Sequence, residues 1–402
     1  MSLPIMCIPP VLRNLLRQYQ GFFSKPQFRH FQHLVTGLVV SENKTLCEMN
    51  DCFSSRDQSN FNRFVTQSDF SLEKLNRLRL AQVKKHVQFA NKGVLIVDES
   101  LLHKTGDYME LAGSHKSGMT KTLRWGHMLV NTIFSDESEN TFPVDTQVFV
   151  REKDCPKYDR KFKTKRELGI EGIDVALQAR LPVHTVIADA GYEGDTFVNA
   201  IKSRGLDFLV GVRTSTKISI DRRKRQEIGS IKDSLQEEDF CKITHNDKTY
   251  YYHMKKGFVK KIGAVKLIIS YVEDDKDNTK CYLTNSQRPN ENIMKLLLAR
   301  WKIEVFHRDA KQHLGLEAYQ VRKGRGMQVV ALAILTAYTL VFLAKKWLLK
   351  TPFRCFQTIG ETCRYLTIIA YKGTRWIKKK LNNLLEFKQM LNKHVLIKNA
   401  KV

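Results

Sequence analysis

No two of the eight cysteines (Cys7, Cys47, Cys52, Cys155, Cys241, Cys281, Cys355 and Cys363) form a Cys-x-x-Cys pair. Zinc fingers and ribbons need such pairs, so a structural zinc site is not expected. No basic segment followed by an apolar core and a small-residue cleavage site opens the chain. The expectation is reduced, mostly buried thiols in a cytoplasmic protein. Internal repeats and low-complexity stretches are also missing, and Pro and Gly are scarce over residues 1–90. The longest apolar run, Val329 to Ala344, is shorter than the roughly 20 residues that cross a bilayer and contains Thr336, Tyr338 and Thr339. It reads as a buried core helix. Its basic flanks, Lys323, Arg325, Lys345 and Lys346, keep a membrane span as the alternative.

Acidic residues are the other deficit. Against 41 Asp and Glu stand 67 Lys and Arg, a formal net charge of +26 over 402 residues. Such a surface attracts polyanions, with nucleic acid first and an anionic membrane second. The bases are spread along the chain, which suits a long footprint on a phosphate backbone. The length implies two to four structural units.

Apolar residues at three- and four-residue spacing predict helices at Val11–Tyr19, Phe31–Val40 and Leu72–Phe89. Residues 1–90 therefore read as a helical region, with DNA binding as the functional reading and plain dimerisation as the other. At Gly93 the texture changes. Val94–Val97 is a short β-type run ending at Asp98, and Val183–Ala188 is a second ending at Asp189. Between them lie strands at Trp125–Phe134 and Val144–Val150 and a helix at Lys165–Arg180. A helix over 194–203 and a strand at Asp207–Val212 follow. Residues 214–287 carry further strand patterns, at Lys248–Tyr252, Gly263–Val272 and Lys280–Asn285, and the basic run Arg222-Arg223-Lys224-Arg225. One long helix is predicted from Asn290 or Asn292 to Gly315. The tail from Lys350 is basic and helical, densest at Lys378-Lys379-Lys380.

Asp98 and Asp189 each end an apolar strand, where side chains enter the crevice in which α/β sheets place ligands. A carboxylate there needs a partner or a cation. On the long helix, Arg300, Glu304, His307 and Lys311 follow one another at steps of four, three and four, a single polar stripe. Hard carboxylate oxygens suit Mg²⁺, and neighbouring Arg and Lys suit phosphate. By spacing alone, a salt-bridged surface helix remains the other reading of the stripe.

These residues resemble a family. Arg300-x3-Glu304-x6-Lys311 is similar to the Tyr-x2-Arg-x3-Glu-x6-Lys motif of DDE-type bacterial insertion-sequence transposases in the group resembling insertion sequence four. Asp189-Ala190-Gly191-Tyr192 resembles that group's second-acid motif. Val97-Asp98-Glu99-Ser100, followed by His103-Lys104-Thr105 and Trp125-Gly126-His127, resembles its first-acid region. The likeness covers about residues 30–345 and includes Gln58-Ser59-Asn60-Phe61-Asn62-Arg63-Phe64. Leu297 stands where the motif has Tyr. Formation of a DNA hairpin is therefore left open, and Leu297→Tyr is expected to be tolerated.

The resemblance implies an α/β fold: a ribonuclease H-like core (91–213 and 288–348) with a β-rich insertion (214–287). Helical regions at 1–90 and 349–402 flank it. It implies Asp98, Asp189 and Glu304 as catalytic metal ligands holding two Mg²⁺ ions, with Mn²⁺ as a substitute. Arg300, Lys311, His307, Tyr192 and Trp301 are the expected phosphate- and DNA-binding residues. The expected partners are the element's terminal inverted repeats and target DNA, bound by a homodimer in a bacterial nucleoid, without a membrane. A non-transposing nuclease or a DNA-binding regulator on the same fold is the alternative. A two-carboxylate sugar hydrolase fits the charge poorly.

Overall fold

The computed structural model describes residues 4–53, 58–116, 122–220, 225–245, 247–350 and 356–372. Residues 222–224 of the first basic run and the Lys378-Lys379-Lys380 patch lie outside these. In chain order the helices α1 (Pro10–Leu16), α2 (Lys25–Val40), α3 (Leu46–Cys52), α4 (Gln58–Gln67) and α5 (Leu72–His86) come first. Strands β1 (Gly93–His103), β2 (Gly113–Lys116), β3 (Leu123–Ser135) and β4 (Thr141–Phe149) lead to α6 (Lys165–Gln178). Then come β5 (Val183–Ala188), α7 (Asp195–Ser203) and β6 (Asp207–Val212). A strand-rich segment follows: β7 (Lys217–Ile220), β8 (Gln226–Glu227), α8 (Ile228–Ser234), β9 (Cys241–His245), β10 (Lys248–Val259), β11 (Gly263–Val272) and β12 (Asp275–Thr284). Helices α9 (Asn290–Ala299), α10 (Trp301–Leu314), α11 (Gly324–Leu348) and α12 (Ile359–Ala370) complete the described chain.

Two compact units result, one of residues 1–75 with 309–402, the other of 76–308. In the first unit α11 packs against α1, α2, α4 and α12. It runs for 25 residues, longer than its apolar stretch suggests, so length alone does not exclude a membrane span. Burial decides: 94% of its most apolar window is enclosed by protein. The hydroxyls of Thr336 and Thr339 donate to the carbonyls of Leu332 and Leu335, each at 2.8 Å, so neither is a stranded polar group.

The second unit is built on a sheet. Among the described residues its strands run in the order β2-β3-β1-β5-β6-β12-β11-β10-β7-β8, with β4 also on β3 and β9 on β10. β1, β3 and β4 are antiparallel neighbours, while β5 and β6 run parallel to β1. Capping fixes where α6 begins: the Thr164 hydroxyl accepts from Glu167 N–H, and Glu167 accepts from Thr164 N–H at 2.7 Å. Gly169 lets α6 approach the sheet, because a Cβ there would fall 3.0 Å from Val97 and 3.2 Å from the Tyr192 ring.

A buried polar knot ties α5 to this sheet. Arg79 is fully buried and donates to the carbonyls of Pro143 and Val144 at 2.6 and 2.7 Å. It also bonds Asn76 Oδ1, while Asn76 Nδ2 reaches Val144 O and Asp145. Removing the guanidinium takes this donor from Pro143 O and Asn76 Oδ1 in a site closed to water, and leaves Val144 O to Asn76 alone. Arg79→Met is therefore expected to lower stability by about 3–5 kcal/mol, read as a fall in the denaturant midpoint. An unchanged midpoint would show the knot to be dispensable.

Candidate active site

Parallel pairing of β1 with β5 brings the first two acids together. The register runs Val94↔Thr185 through Val97↔Ala188, so the next residues, Asp98 within β1 and Asp189 just past the end of β5, lie side by side, although β1 runs on past Asp98 to His103. The preceding Val94–Val97 and Val186–Ala188 are buried apolar residues that fix both strands in the core. Asp189 Oδ1 accepts from Gly191 N–H at 2.8 Å, and Asp98 Oδ1 accepts from Glu99 N–H at 2.8 Å. Gly211, on the next strand, admits this turn: a Cβ there would come within 2.6 Å of Ala190 N.

Glu99 joins them. Oxygens of Asp98, Glu99 and Asp189 lie within 4.8 Å of one another. Alternation along β1 points Asp98 and Glu99 to opposite faces, so sequence reasoning had no cause to include Glu99. The side chain nevertheless reaches back over the end of β5. Lys165, the first residue of α6, holds it with Nζ 2.6 Å from Oε1.

Glu304 stands outside that group of three. It is held by Arg300, one turn earlier, at 2.8 Å, and Arg300 is the link to the acids. Burial opposes its charge, but Tyr282, Glu304 and Asp98 raise the Arg300 guanidinium above its ordinary range. Tyr282, on β12 opposite Gly211, lies in the field of Arg300. Burial, then the charges of Asp189 and Glu99, push Asp98 up to about 7, against the pull of the Glu99 N–H and Arg300. Asp189 is raised by burial and Glu99, and opposed by the Gly191 N–H, Arg300 and Lys165. The set is thus more negative than its neighbours neutralise. Hard oxygen donors, closely spaced and short of positive charge, fit a divalent cation.

The expected continuous helix is broken at Arg300, into α9 and α10. Arg300 N–H bonds Leu297 O and Ile303 N–H bonds Arg300 O, both three residues back, so the turn tightens there. No Pro or Gly marks this in the sequence. His307 sits on α10 with its ring nitrogen 3.0 Å from Asn131 Nδ2. Asn131 is the β3 residue paired with Asp98, and it also accepts from Thr146 at 2.8 Å. His307, half-buried, ties the helix to the sheet through this bond to Asn131. Tyr192 is fully buried against Phe197, with ring centroids 5.3 Å apart, and lies under the acids, so it supports the site's floor and cannot touch DNA. Trp301 is 60% exposed. Lys311 belongs to the other compact unit, with its ammonium 3.7 Å from Glu317. Leu297 is buried, so the expected tolerance of Leu297→Tyr is corrected: the larger ring would overpack the core. Among the described cysteines Cys52, Cys155, Cys281 and Cys363 are buried, Cys7 is half-buried, and Cys47 and Cys241 are exposed.

The core order β4-β3-β1-β5-β6, with one acid midway along β1 and one just past the end of β5, is that of a ribonuclease H-like α/β fold. Known families agree. Residues 17–227, just over half of the chain, match the family described as DDE superfamily endonuclease, and residues 170–340 match the transposase DDE domain. The chain belongs to the DDE endonuclease superfamily. It is also 25% identical over 208 residues to a protein of Microchaete diplosiphon named "Probable transposase for insertion sequence element IS701". That alignment covers 51% of this chain and 53% of the relative, so the chain spans about half the length of the curated relative it matches.

The raised Asp98 carboxyl makes a stability prediction. The fold prefers its neutral form, so the cost of ionisation is absent below the ordinary value near 4. It grows as pH rises towards about 7 and is complete above that. In metal-free protein, Asp98→Asn should raise Tm at pH 8 by at least about 2 °C, with the gain shrinking towards pH 4. Thermal melts across that range, in chelator, measure it. An equal or lower Tm at pH 8 would contradict the crowding of charge.

Proposed function

We propose that the chain is a DNA transposase. It binds the ends of its insertion element, cuts phosphodiester bonds and joins the 3′-OH ends to target DNA. The observation that carries this reading is the gathering of Asp98, Glu99 and Asp189 within 4.8 Å, with Arg300 joining Glu304 to them. Asp98, Asp189 and Glu304 are the proposed metal ligands, and Glu99 is an additional one. These acids would hold two Mg²⁺ ions, or Mn²⁺ in their place, which when bound would supply Lewis-acid stabilisation to phosphodiester cleavage.

The chain's own residues do the positioning. Arg300 offers a planar fork to a phosphate, and Lys311 a point charge. Tyr282 supplies, from β12, the hydroxyl beside Arg300 that Leu297 does not. Trp301 presents an open ring face for a base. His307 holds the helix in place through Asn131. The spacing Arg300–Glu304–Lys311 supports membership of the group resembling insertion sequence four. Residues 1–90 are the proposed DNA-binding region and 214–287 the insertion. Two copies, acting in a bacterial nucleoid, would hold the two element ends.

Duplex DNA carrying the element's own terminal repeats, incubated with the protein and Mg²⁺, tests the reading on denaturing gels. Asp98→Ala, Asp189→Ala and Glu304→Ala should each abolish cutting while leaving DNA affinity within a few-fold, because most affinity comes from Lys and Arg on phosphates. Chelator should abolish cutting too. Arg300→Ala and Tyr282→Phe should weaken it, the first more. Full activity in any acid variant would remove that residue from the site. Cutting without joining would instead favour a non-transposing nuclease.

A second expectation concerns salt. If about ten phosphates are neutralised, log affinity for non-specific duplex should fall with a slope near −9 against log salt. A flat titration would separate the +26 charge from DNA binding.

A further inference from the structure

The two faces of α4 differ sharply. Phe61, Phe64 and Val65 are buried, with Phe64 stacked 5.7 Å from Phe70 and Phe61 5.7 Å from the His30 ring. The opposite face carries Gln58, Ser59, Asn60, Asn62, Arg63 and Gln67, all exposed. Solvent-facing helix surfaces ordinarily mix acids with bases. Residues 58–68 contain no Asp or Glu, and neither do residues 1–41, which include α1 and α2. These two acid-free segments meet. Gln27 and His30 of α2 and Asn60, Arg63 and Gln67 of α4 line one open groove of about 360 Å³. Lys25 and Arg29 stand exposed at its α2 side. The next carboxylate along the chain, Asp69, lies in the field of Arg325, whose guanidinium is bonded to Ser68 O and Phe70 O.

We propose that α4 is the base-reading element of this protein, seated in the major groove of duplex DNA with Lys25 and Arg29 on the flanking phosphates. The inference rests on the reading that the chain acts on DNA, and it adds which helix chooses the sequence. Its residue types match the partner's chemistry. Arg bonds the O6 and N7 of guanine as a fork, and Asn and Gln bond N6 and N7 of adenine. Arg63 is already hydrogen-bonded to Asn60, one turn back, so its fork is oriented before DNA arrives. A ten-residue helix is about 15 Å long and, with side chains, 10–12 Å across, which fits a groove about 12 Å wide. A carboxylate on this face would meet phosphates with like charge, and none of the residues of α4 carries one.

Selection from a random-sequence duplex pool tests the proposal, with the full-length protein in chelator so that nothing is cut. Wild type should enrich one sequence motif. Asn60→Ala, Gln67→Ala and Arg63→Lys should each lower the preference for that motif over scrambled duplex by about ten-fold. The enriched motif should relax at one or two positions. Affinity for scrambled duplex should stay within about two-fold, and melting curves should not move, since all three side chains are exposed. Arg63→Lys keeps the charge, so a phosphate contact would survive it and a base fork would not. Lys25→Ala and Arg29→Ala should weaken motif and scrambled duplex alike. The proposal falls if wild type enriches no motif, if the α4 variants keep the same preference, if they weaken both duplexes equally, or if structured RNA competes better than duplex DNA. A protein that selects a motif but cuts nothing supports this inference and overturns the catalytic one; unchanged selection with intact cutting does the reverse.

Discussion

Like charges in close quarters govern the second unit. The parallel register of β1 and β5 sets Asp189, just past β5, beside Asp98, and their carboxylates have nowhere to separate. Three of them crowd within 4.8 Å over a floor of buried apolar side chains, where water screens poorly. Each neighbour answers that charge. Lys165 is delivered by the capped start of α6, the Gly191 N–H by a tight turn, and Arg300 by a break between two helices. A ribonuclease H-like sheet thus acts as a device for holding acids closer together than they would stay unaided.

Much of this was legible in the sequence because it depends on one-dimensional patterns. Short apolar runs that stop at Asp98 and Asp189 read as buried strands, although β1 does not stop at its acid but runs on to His103. A four-residue step likewise brings Arg300 against Glu304. What escaped depends on contacts between distant elements. Glu99 alternates away from Asp98 in the strand pattern, and only the reach of its side chain over β5 brings it back. Tyr282 looks like any half-apolar strand residue until β12 is known to lie beside β6. Tyr192 follows the second acid closely enough to suggest ligand contact, yet the short turn after Asp189 drives its ring inward.

The buried helix α11 was read correctly for an incomplete reason. Its apolar stretch is shorter than a bilayer, but the helix continues through Gly324, Arg325 and Gly326 at one end and Lys345 to Leu348 at the other. Enclosure by α1, α2, α4 and α12 accounts for its composition. The same helix supplies the apolar backing against which α4 can turn an entirely polar face outward. Core and surface in the first unit are two sides of one packing arrangement.

The joining of β12 to β6 has a consequence for solubility. In a five-strand core, β6 would be the last strand, with the backbone groups of Leu209 to Val212 unpaired along one edge. An apolar, unguarded strand of that kind invites pairing with another chain. The strands that follow β6 close that edge and carry the sheet outward to the short, polar β8. They act as a guard for the core as well as a platform for Tyr282. Excising them would leave a protein prone to sticking to its own copies, even with every acid still in place.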